Sequence, residues 1–578
     1  MHATAELKTG VVEGVEPRME PGDEAPHPGL RARLSGVVRG KAGISVVGAL
    51  ALVGAIAAGS TLRLWNLGAQ VLSGDEFHAV IAALDRPISR LLFFYQAADN
   101  CIPLSVLDRF LIDRGAGLSE WSVRLPVLIA GFALLLLAPV WAWRRLGAGT
   151  AVALAWLVAI SPGLVFYSRI ARSYAPATLF ACAAVAAFET WHRRGGVAPA
   201  SAYVACAVMA AWFHLGALPL VMSPFLVAAL ALAAPDGRTR GQALVRLLLL
   251  GAGTIAGLAA LLAPAHSTLL PSLAGKHDKL GVTAQETAEV GAWLAGVSSR
   301  WAAVAIGLVC IAGLAILLRR SGWLGGFALG GMAVQVAGVL VAAPVAHQAT
   351  IVLTRYLVFA LPCALVPVAV ALGSPWPPRW RKAQPWLAAA GLAGLIACGP
   401  FLDADLARSS FAHDALYLRF TEPRPRLEDE GPVAVYHWLA QAGPGVVFEL
   451  PWDPVFMPDR ILAMYQTLHG REVVVGGYRP DPRMTFHNMT SVRPQDVLAS
   501  RARWLIAHPL IVREEARIGG APWGPTPELR RVYRRAAVST AAGYRTLWGP
   551  PDYEDRWVKV WDLDRARLRG IPLRPGPR

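Results

Sequence analysis

Ser73-Gly74-Asp75-Glu76-Phe77-His78 brings two carboxylates and an imidazole together just past the first long apolar run. Adjacent acids close to hydrocarbon are costly unless they meet cations or do chemistry. The chemistry open to them is general acid–base work, with a carboxylate taking a proton from a hydroxyl within hydrogen-bond reach. A plainer reading stands beside it. Ser, Gly and Asp favour helix starts and acids suit a first turn, so Asp75 and Glu76 would simply cap the next helix. The surrounding chain has to decide between the two.

The elements that would position these residues are membrane spans. Of 578 residues 55% are hydrophobic and 16% charged, and the mean hydropathy is +0.43, more apolar than an ordinary soluble domain. Apolar runs near 43–63, 125–143, 149–167, 174–191, 200–217, 219–234, 244–264, 301–318, 323–344, 356–373 and 384–402 predict about eleven spans, each needing about 20 residues to cross the hydrocarbon. With the first 42 residues as a cytoplasmic tail, Arg144-Arg145, His192-Arg193-Arg194, Arg238/Arg240, Arg319-Arg320 and Arg379 to Lys382 fall on one face, as cytoplasmic loops require. The opposite face receives the loop 64–124, the turn from Tyr167 to Tyr174, the loop 265–300, the segment His347 to Tyr356 and everything after 403. The N-terminus is therefore expected inside and the C-terminus outside.

These outer loops are rich in Arg and Lys, among them Arg63, Arg109, Arg124, Arg169, Arg172 and Arg355. Excess cations on the translocated face suit a phosphate, since a guanidinium matches its oxygens bidentately. For any one of them taken singly, pairing with local acids such as Asp85, Asp108 and Asp113, or contact with lipid headgroups, is the preferred reading. Arg172 and Arg355, at span ends, are the two assigned to a phosphate.

Within 64–124, helical spacing predicts short amphipathic helices over Glu76 to Leu84, Ile88 to Ala97 and Leu104 to Leu111, broken at Asn100-Cys101-Ile102-Pro103. After 403 the hydropathy falls and a separate α/β domain is expected, residues 403–578. Helix is predicted over Val433 to Ala442 and strand over Gly445 to Leu450, with a further strand from Trp504. Tyr544 to Trp548 and Trp557 to Trp561 read as closing antiparallel strands.

The net charge of +16 is spread over span ends and forms no nucleic-acid stripe. Cys182, Cys206, Cys310, Cys363 and Cys398 lie in apolar runs, Cys101 stands alone, and no spacing suits zinc or a disulfide framework. His214, alone in an apolar run, reads as a packed histidine bonded to a carbonyl. Glu286 and Glu289 read as a solvated helix face. The Trp residues at span ends, Trp65, Trp121, Trp141, Trp143, Trp301 and Trp386, read as interface anchors.

Taken in order, Gly74-Asp75-Glu76, Glu120-Trp121-Ser122-Val123-Arg124-Leu125-Pro126, Ser161-Pro162, Tyr167-Ser168-Arg169, Arg172-Ser173-Tyr174, Arg355-Tyr356 and Leu361-Pro362 resemble the GT-C superfamily of integral membrane glycosyltransferases. The closer likeness is to the bacterial branch related to the protein O-mannosyltransferases and the lipid A aminoarabinose transferase. It covers the membrane half, while Glu449-Leu450-Pro451 and Gly476-Gly477-Tyr478 resemble extracytoplasmic domains attached to some of these enzymes. The chain departs from the pattern at Cys101-Ile102-Pro103-Leu104-Ser105 and at Ser173 after Arg172, which leaves the acceptor open.

The resemblance implies inverting transfer of a sugar from a polyprenyl-phosphate carrier to a protein, lipid or glycan hydroxyl at the outer face of the cytoplasmic membrane. Asp75 matches the loop carboxylate assigned as general base, with Glu76 beside it. Arg172 and Arg355 match basic positions near the lipid phosphate, and Tyr174, Tyr356, His78 and Arg124 complete the expected substrate-binding set. No cofactor is implied and a divalent metal is not indicated. Two rivals remain, a transporter or lipid flippase and a non-catalytic GT-C-like scaffold. Sparse charge within the spans and acids gathered in one outer loop speak against transport.

Overall fold

The computed structural model describes residues 45–65, 67, 76–93, 95, 102–233, 240–274, 283–297, 299–342, 349–376, 378–380, 382–397, 399, 432–450, 471, 497–498, 502–507, 543–555 and 558–568. All of the elements below belong to one compact unit, Val46–Arg578. The expected cytoplasmic tail lies outside the described residues, and so does the expected domain boundary near 403.

The described part of each apolar run anticipated above is largely helical, the last run ending its helix at Ala397. Seven helices among the described residues are long and apolar enough to cross a membrane: Val46–Leu64, Trp121–Leu146, Leu215–Leu232, Gly241–Leu269, Arg300–Arg320, Gly322–Val341 and Leu353–Gly373. Their outward faces are hydrocarbon rather than polar. Val53, Leu137, Leu248, Ile255, Leu308 and Ile311 are all more than half exposed, a belt that a water-soluble surface rarely carries and that a bilayer accepts. The chain is a multi-pass helical membrane protein.

The helices that position the site are α1 (Val46–Leu64), α2 (Phe77–Asp85), α3 (Ile102–Asp113), α4 (Glu120–Leu146), α5 (Ala148–Ile160), α6 (Tyr174–Arg194), α7 (Arg300–Arg320), α8 (Gly322–Ala342) and α9 (Leu361–Gly373). Helix α4 starts on a capping box in which the Ser119 hydroxyl accepts from the Ser122 backbone N–H while Ser122 Oγ accepts from the Ser119 N–H at 2.8 Å. It stops at Gly147, whose φ of 99° favours glycine. The run 149–167 is one span in the sequence reading but two helices in the structure. Ser161, preceding Pro162, takes an extended ψ of 114°, as the proline ring requires of the residue before it. Helices α7 and α9 approach so closely that Gly313 lies against the Pro367 carbonyl, the small-residue contact that substitutes for hydrophobic drive inside lipid.

The outer segment is helical at α2, at Ile88–Leu91 and at α3. The middle helix, expected to run to Ala97, ends at Leu91, and Leu92 and Phe93 form a turn. Beyond the bundle, helix Pro432–Gln441 leads into a four-strand sheet of order β1-β2-β4-β3, with β1 Val446–Leu450, β2 Ala502–Ala507, β3 Tyr553–Glu554 and β4 Lys559–Asp562. β1 runs parallel to β2, and β4 antiparallel to it. Residues 543–548 are helical where a strand was expected. Tyr544 and Trp548, one helical turn apart, stack with centroids 4.3 Å apart. A period of four put both rings into one core cluster with Trp561, and that spacing outweighed the strand propensity of aromatics.

The sheet is fastened to the outer segment. Val80, Leu84, Leu118, Val123 and Ala171 share one buried cluster with Tyr436, Leu439, Val447, Trp504, Ile506 and Val560. The α/β portion therefore sits at the end of the bundle where Glu76 lies.

Candidate active site

Glu76 immediately precedes α2 and is 2% exposed; Arg124, one turn into α4, is 0% exposed. Arg124 Nε donates to Glu76 Oε1 at 2.9 Å and Nη2 to Oε2 at 2.8 Å. Its Nη1 donates to the Leu67 carbonyl at 2.8 Å. The Ala171 backbone N–H donates to Glu76 Oε1 at 2.8 Å. A bidentate pair with its remaining valences satisfied is the arrangement in which buried opposite charges offset their desolvation. Three segments distant in sequence are thereby joined at one carboxylate.

The turn that carries Ala171 is held from its other side. Arg169 Nη1 donates to the Leu62 carbonyl and Nη2 to the Trp65 carbonyl, each at 2.6 Å, closing the orphan carbonyls at the end of α1. Arg63 donates to Gly59 at 3.0 Å and to Val158 at 3.2 Å. Two of the excess outer cations thus serve backbone carbonyls, and Arg109 pairs with Asp113 at 2.6 Å, the local pairing that the sequence offered for any single one of them. Sequence cannot distinguish an arginine that meets carbonyls from one that meets phosphate, because both sit near span ends.

Arg172, 6% exposed, follows directly, with its guanidinium carbon 5.9 Å from the centre of the Tyr174 ring. Tyr174 packs on Tyr167 at 4.6 Å and on His214 at 5.0 Å, and His214 packs on Tyr356 at 5.3 Å. The two tyrosines assigned to substrate from separate motifs therefore flank one histidine. The His214 Nδ1 accepts from the Gly216 N–H at 3.0 Å, a backbone amide where a carbonyl was expected. Gln335 fixes this corner by donating to the Gly216 and Tyr356 carbonyls, both at 2.8 Å, and accepting from the Leu220 N–H at 3.0 Å. His214 and Gln335 escaped assignment from sequence; a lone amide in an apolar span was the available signal.

Arg355 is half-buried in the last turn of helix Ala349–Leu357 beside Tyr356, and His78 is half-buried on α2. Ser73, Gly74 and Asp75 lie outside the described residues. Asp108 on α3 is buried, and burial pushes its carboxyl well above the usual carboxylate range. Glu286 stands on an exposed helix in a capping box, where hydrogen bonds from Thr283 hold it below the usual range. Among the described residues no group of three or more His, Cys, Asp or Glu could hold a metal ion.

No family model matches this chain, and no curated protein matches it. Solved structures do resemble it. Its structural neighbours are GT-C membrane glycosyltransferases. The apo structure of ArnT from Cupriavidus metallidurans is 14% identical over 75% of this chain and 72% of its own, with a TM-score of 0.45. The same protein bound to undecaprenyl phosphate gives 14% identity, 74% of both chains and 0.42. The Archaeoglobus fulgidus oligosaccharyltransferase, in complex with zinc and sulfate, gives 14%, 83% and 70%, and 0.35. At these scores the likeness carries no residue assignment, and the reading below rests on the geometry and the motifs.

Proposed function

We propose that this chain is a glycosyltransferase that moves a sugar from a polyprenyl-phosphate donor to an acceptor hydroxyl, with inversion, at the outer face of the cytoplasmic membrane. The observation that carries the reading is the joint made at Glu76. Its carboxylate is bound by Arg124 and by the amide of Ala171, so the segment bearing Asp75 and the turn bearing Arg172 are tied to one anchor. A general base and a phosphate-binding cation in fixed relation are what such a transfer needs.

In this mechanism Asp75 takes the proton of the acceptor hydroxyl as its oxygen attacks the anomeric carbon. The bond from that carbon to the phosphate oxygen breaks, and the lipid phosphate leaves with the electron pair. Arg172 and Arg355 meet the charge as it develops. Tyr174, Tyr356 and His78 contact the sugar. Glu76 and Arg124 hold the base in place, a positioning role suited to a carboxylate whose two oxygens are already engaged. The N-terminus is cytoplasmic and the α/β portion outside, where it binds the acceptor.

The test is transfer of radiolabelled sugar from a panel of polyprenyl-phosphate sugars to membrane acceptors by purified protein, compared with Asp75→Asn. Transfer that disappears in the variant supports the reading and names the sugar. Absence of transfer from every donor by folded protein overturns it in favour of a scaffold or a transporter, and counterflow in proteoliposomes separates those two.

A further inference from the structure

The end of the bundle away from Glu76 holds a second group of buried polar atoms with no part in this chemistry. A cavity of about 160 Å³ lies among α4, α5, α6, α8 and α9, lined by Leu137, Trp141, Val158, Cys182, Glu189 and Phe327 among others. Its walls are almost wholly apolar. An apolar chamber of this size has room for a small hydrocarbon group. Leu137 lines it while remaining 57% exposed on the outer face of α4, so the cavity opens sideways toward the hydrocarbon around the bundle.

Two polar residues on the wall break this apolar character. Glu189 is 3% exposed on its side chain. Both of its cations address one oxygen: Arg145 pairs with Oε1, and Arg193 Nε lies 3.1 Å from that same atom. Oε2 is buried and accepts no hydrogen bond from the described residues, and Trp141 Nε1 is buried and donates none to them. Trp141 lies one helical turn before Arg145 on α4, and so on the same face. The other span-end tryptophans, Trp65, Trp121, Trp143, Trp301 and Trp386, are exposed, whereas the Trp141 indole nitrogen is turned inward.

An acceptor and a donor left open on the wall of an apolar chamber call for one group that can satisfy both. We propose that this cavity binds a single-chain membrane-soluble alcohol, whose hydroxyl donates to Glu189 Oε2 and accepts from Trp141 Nε1 while its chain lies along the apolar wall and leaves past Leu137. A hydrocarbon would leave both polar atoms unmet, which is costly in a buried site. A fatty carboxylate would face the Glu189 charge. The site lies on the far side of the bundle from the sugar chemistry and does not depend on it.

The probe is a diazirine-bearing dodecanol, photolysed with the full-length protein in nanodiscs and mapped by peptide sequencing. Label is expected on peptides from α4 and α6 and is competed by plain dodecanol but not by dodecane or dodecanoate. Trp141→Phe removes the indole donor together with part of the ring; it lowers labelling about fivefold, the worth of one neutral hydrogen bond. Ala186→Leu, which fills the chamber, abolishes it. Equal labelling by a diazirine-bearing dodecane overturns the proposal, as does labelling that survives both variants or that maps beside Arg172. Competition on the wild-type chain decides the matter should either variant fold poorly.

Discussion

Glu76 and Arg124 stand 48 residues apart and meet edge to edge, with both oxygens of one facing two nitrogens of the other at 2.9 and 2.8 Å. Neither side chain reaches solvent. The pair is therefore a fixture of the fold, and the proposed reading assigns the base to the carboxylate that precedes it in sequence.

Removing either partner leaves a buried, uncompensated charge. Arg124→Ala is expected to cost about 3–5 kcal/mol, seen as a large drop in the thermal unfolding midpoint of detergent-purified protein. Replacing both residues by Leu and Met is expected to recover much of that loss, since apolar substitutes for a buried pair are often neutral. A midpoint unchanged in Arg124→Ala would mean the pair does not hold the outer segment.

Asp75→Asn and Glu76→Gln are expected to part ways. The first lowers the rate of transfer about 10²–10⁴-fold, the worth of a general base, with the thermal midpoint unchanged. The second lowers the midpoint as well, because it weakens the bonds to Arg124. Equal destabilisation by both would deny Asp75 a chemical role.

Asp108 fixes the sign of a pH effect. Burial raises its pKa in the folded chain, so the folded state keeps a proton that the unfolded state releases near pH 3.9, the ordinary value for an aspartate. Stability is then greatest below that pH and falls as pH climbs through the raised folded value. Asp108→Asn does not titrate. Its unfolding midpoint is expected to equal the wild type near pH 4 and to exceed it at pH 8; a constant difference across that range would refute the assignment.

Gly313→Val places a side chain against the Pro367 carbonyl where α7 and α9 touch. Overpacking of this kind costs about 1–3 kcal/mol or more. Gly307→Val lies on the same helix with open space before it and serves as the control that should leave the midpoint within about 0.5 kcal/mol of its original stability.

Much of this fold was legible because the bilayer imposes length and apolarity on each run, and the described part of the eleven runs is largely helical for that reason. The break at Ser161-Pro162 was legible as chemistry and missed as geometry, since apolarity continues across it. The short outer helices α2 and α3 followed from their apolar spacing. The site was legible in its residue types but not in its pairings. Glu76 and Arg124 were both singled out, yet nothing in two motifs 48 residues apart says that one neutralises the other. Arg63 and Arg169 were counted among the excess outer cations, and their carbonyl partners were not legible because an arginine's partner is a tertiary property. His214 was read as packing, and it does pack, but between the two tyrosines assigned to the substrate.

The three-way joint at Glu76 also dictates an order of assembly. The chain leaves the ribosome N-terminus first, so Glu76 emerges well before Arg124 and earlier still than Ala171. Until α4 and the turn before α6 have arrived, that carboxylate has only water to satisfy it and must stay outside the hydrocarbon. The carboxylate gains its charge partner only once α4 is made, and its backbone donor only once the turn before α6 follows. A truncated chain released before residue 171 would carry Glu76 and Arg124 and still lack the backbone donor of Ala171.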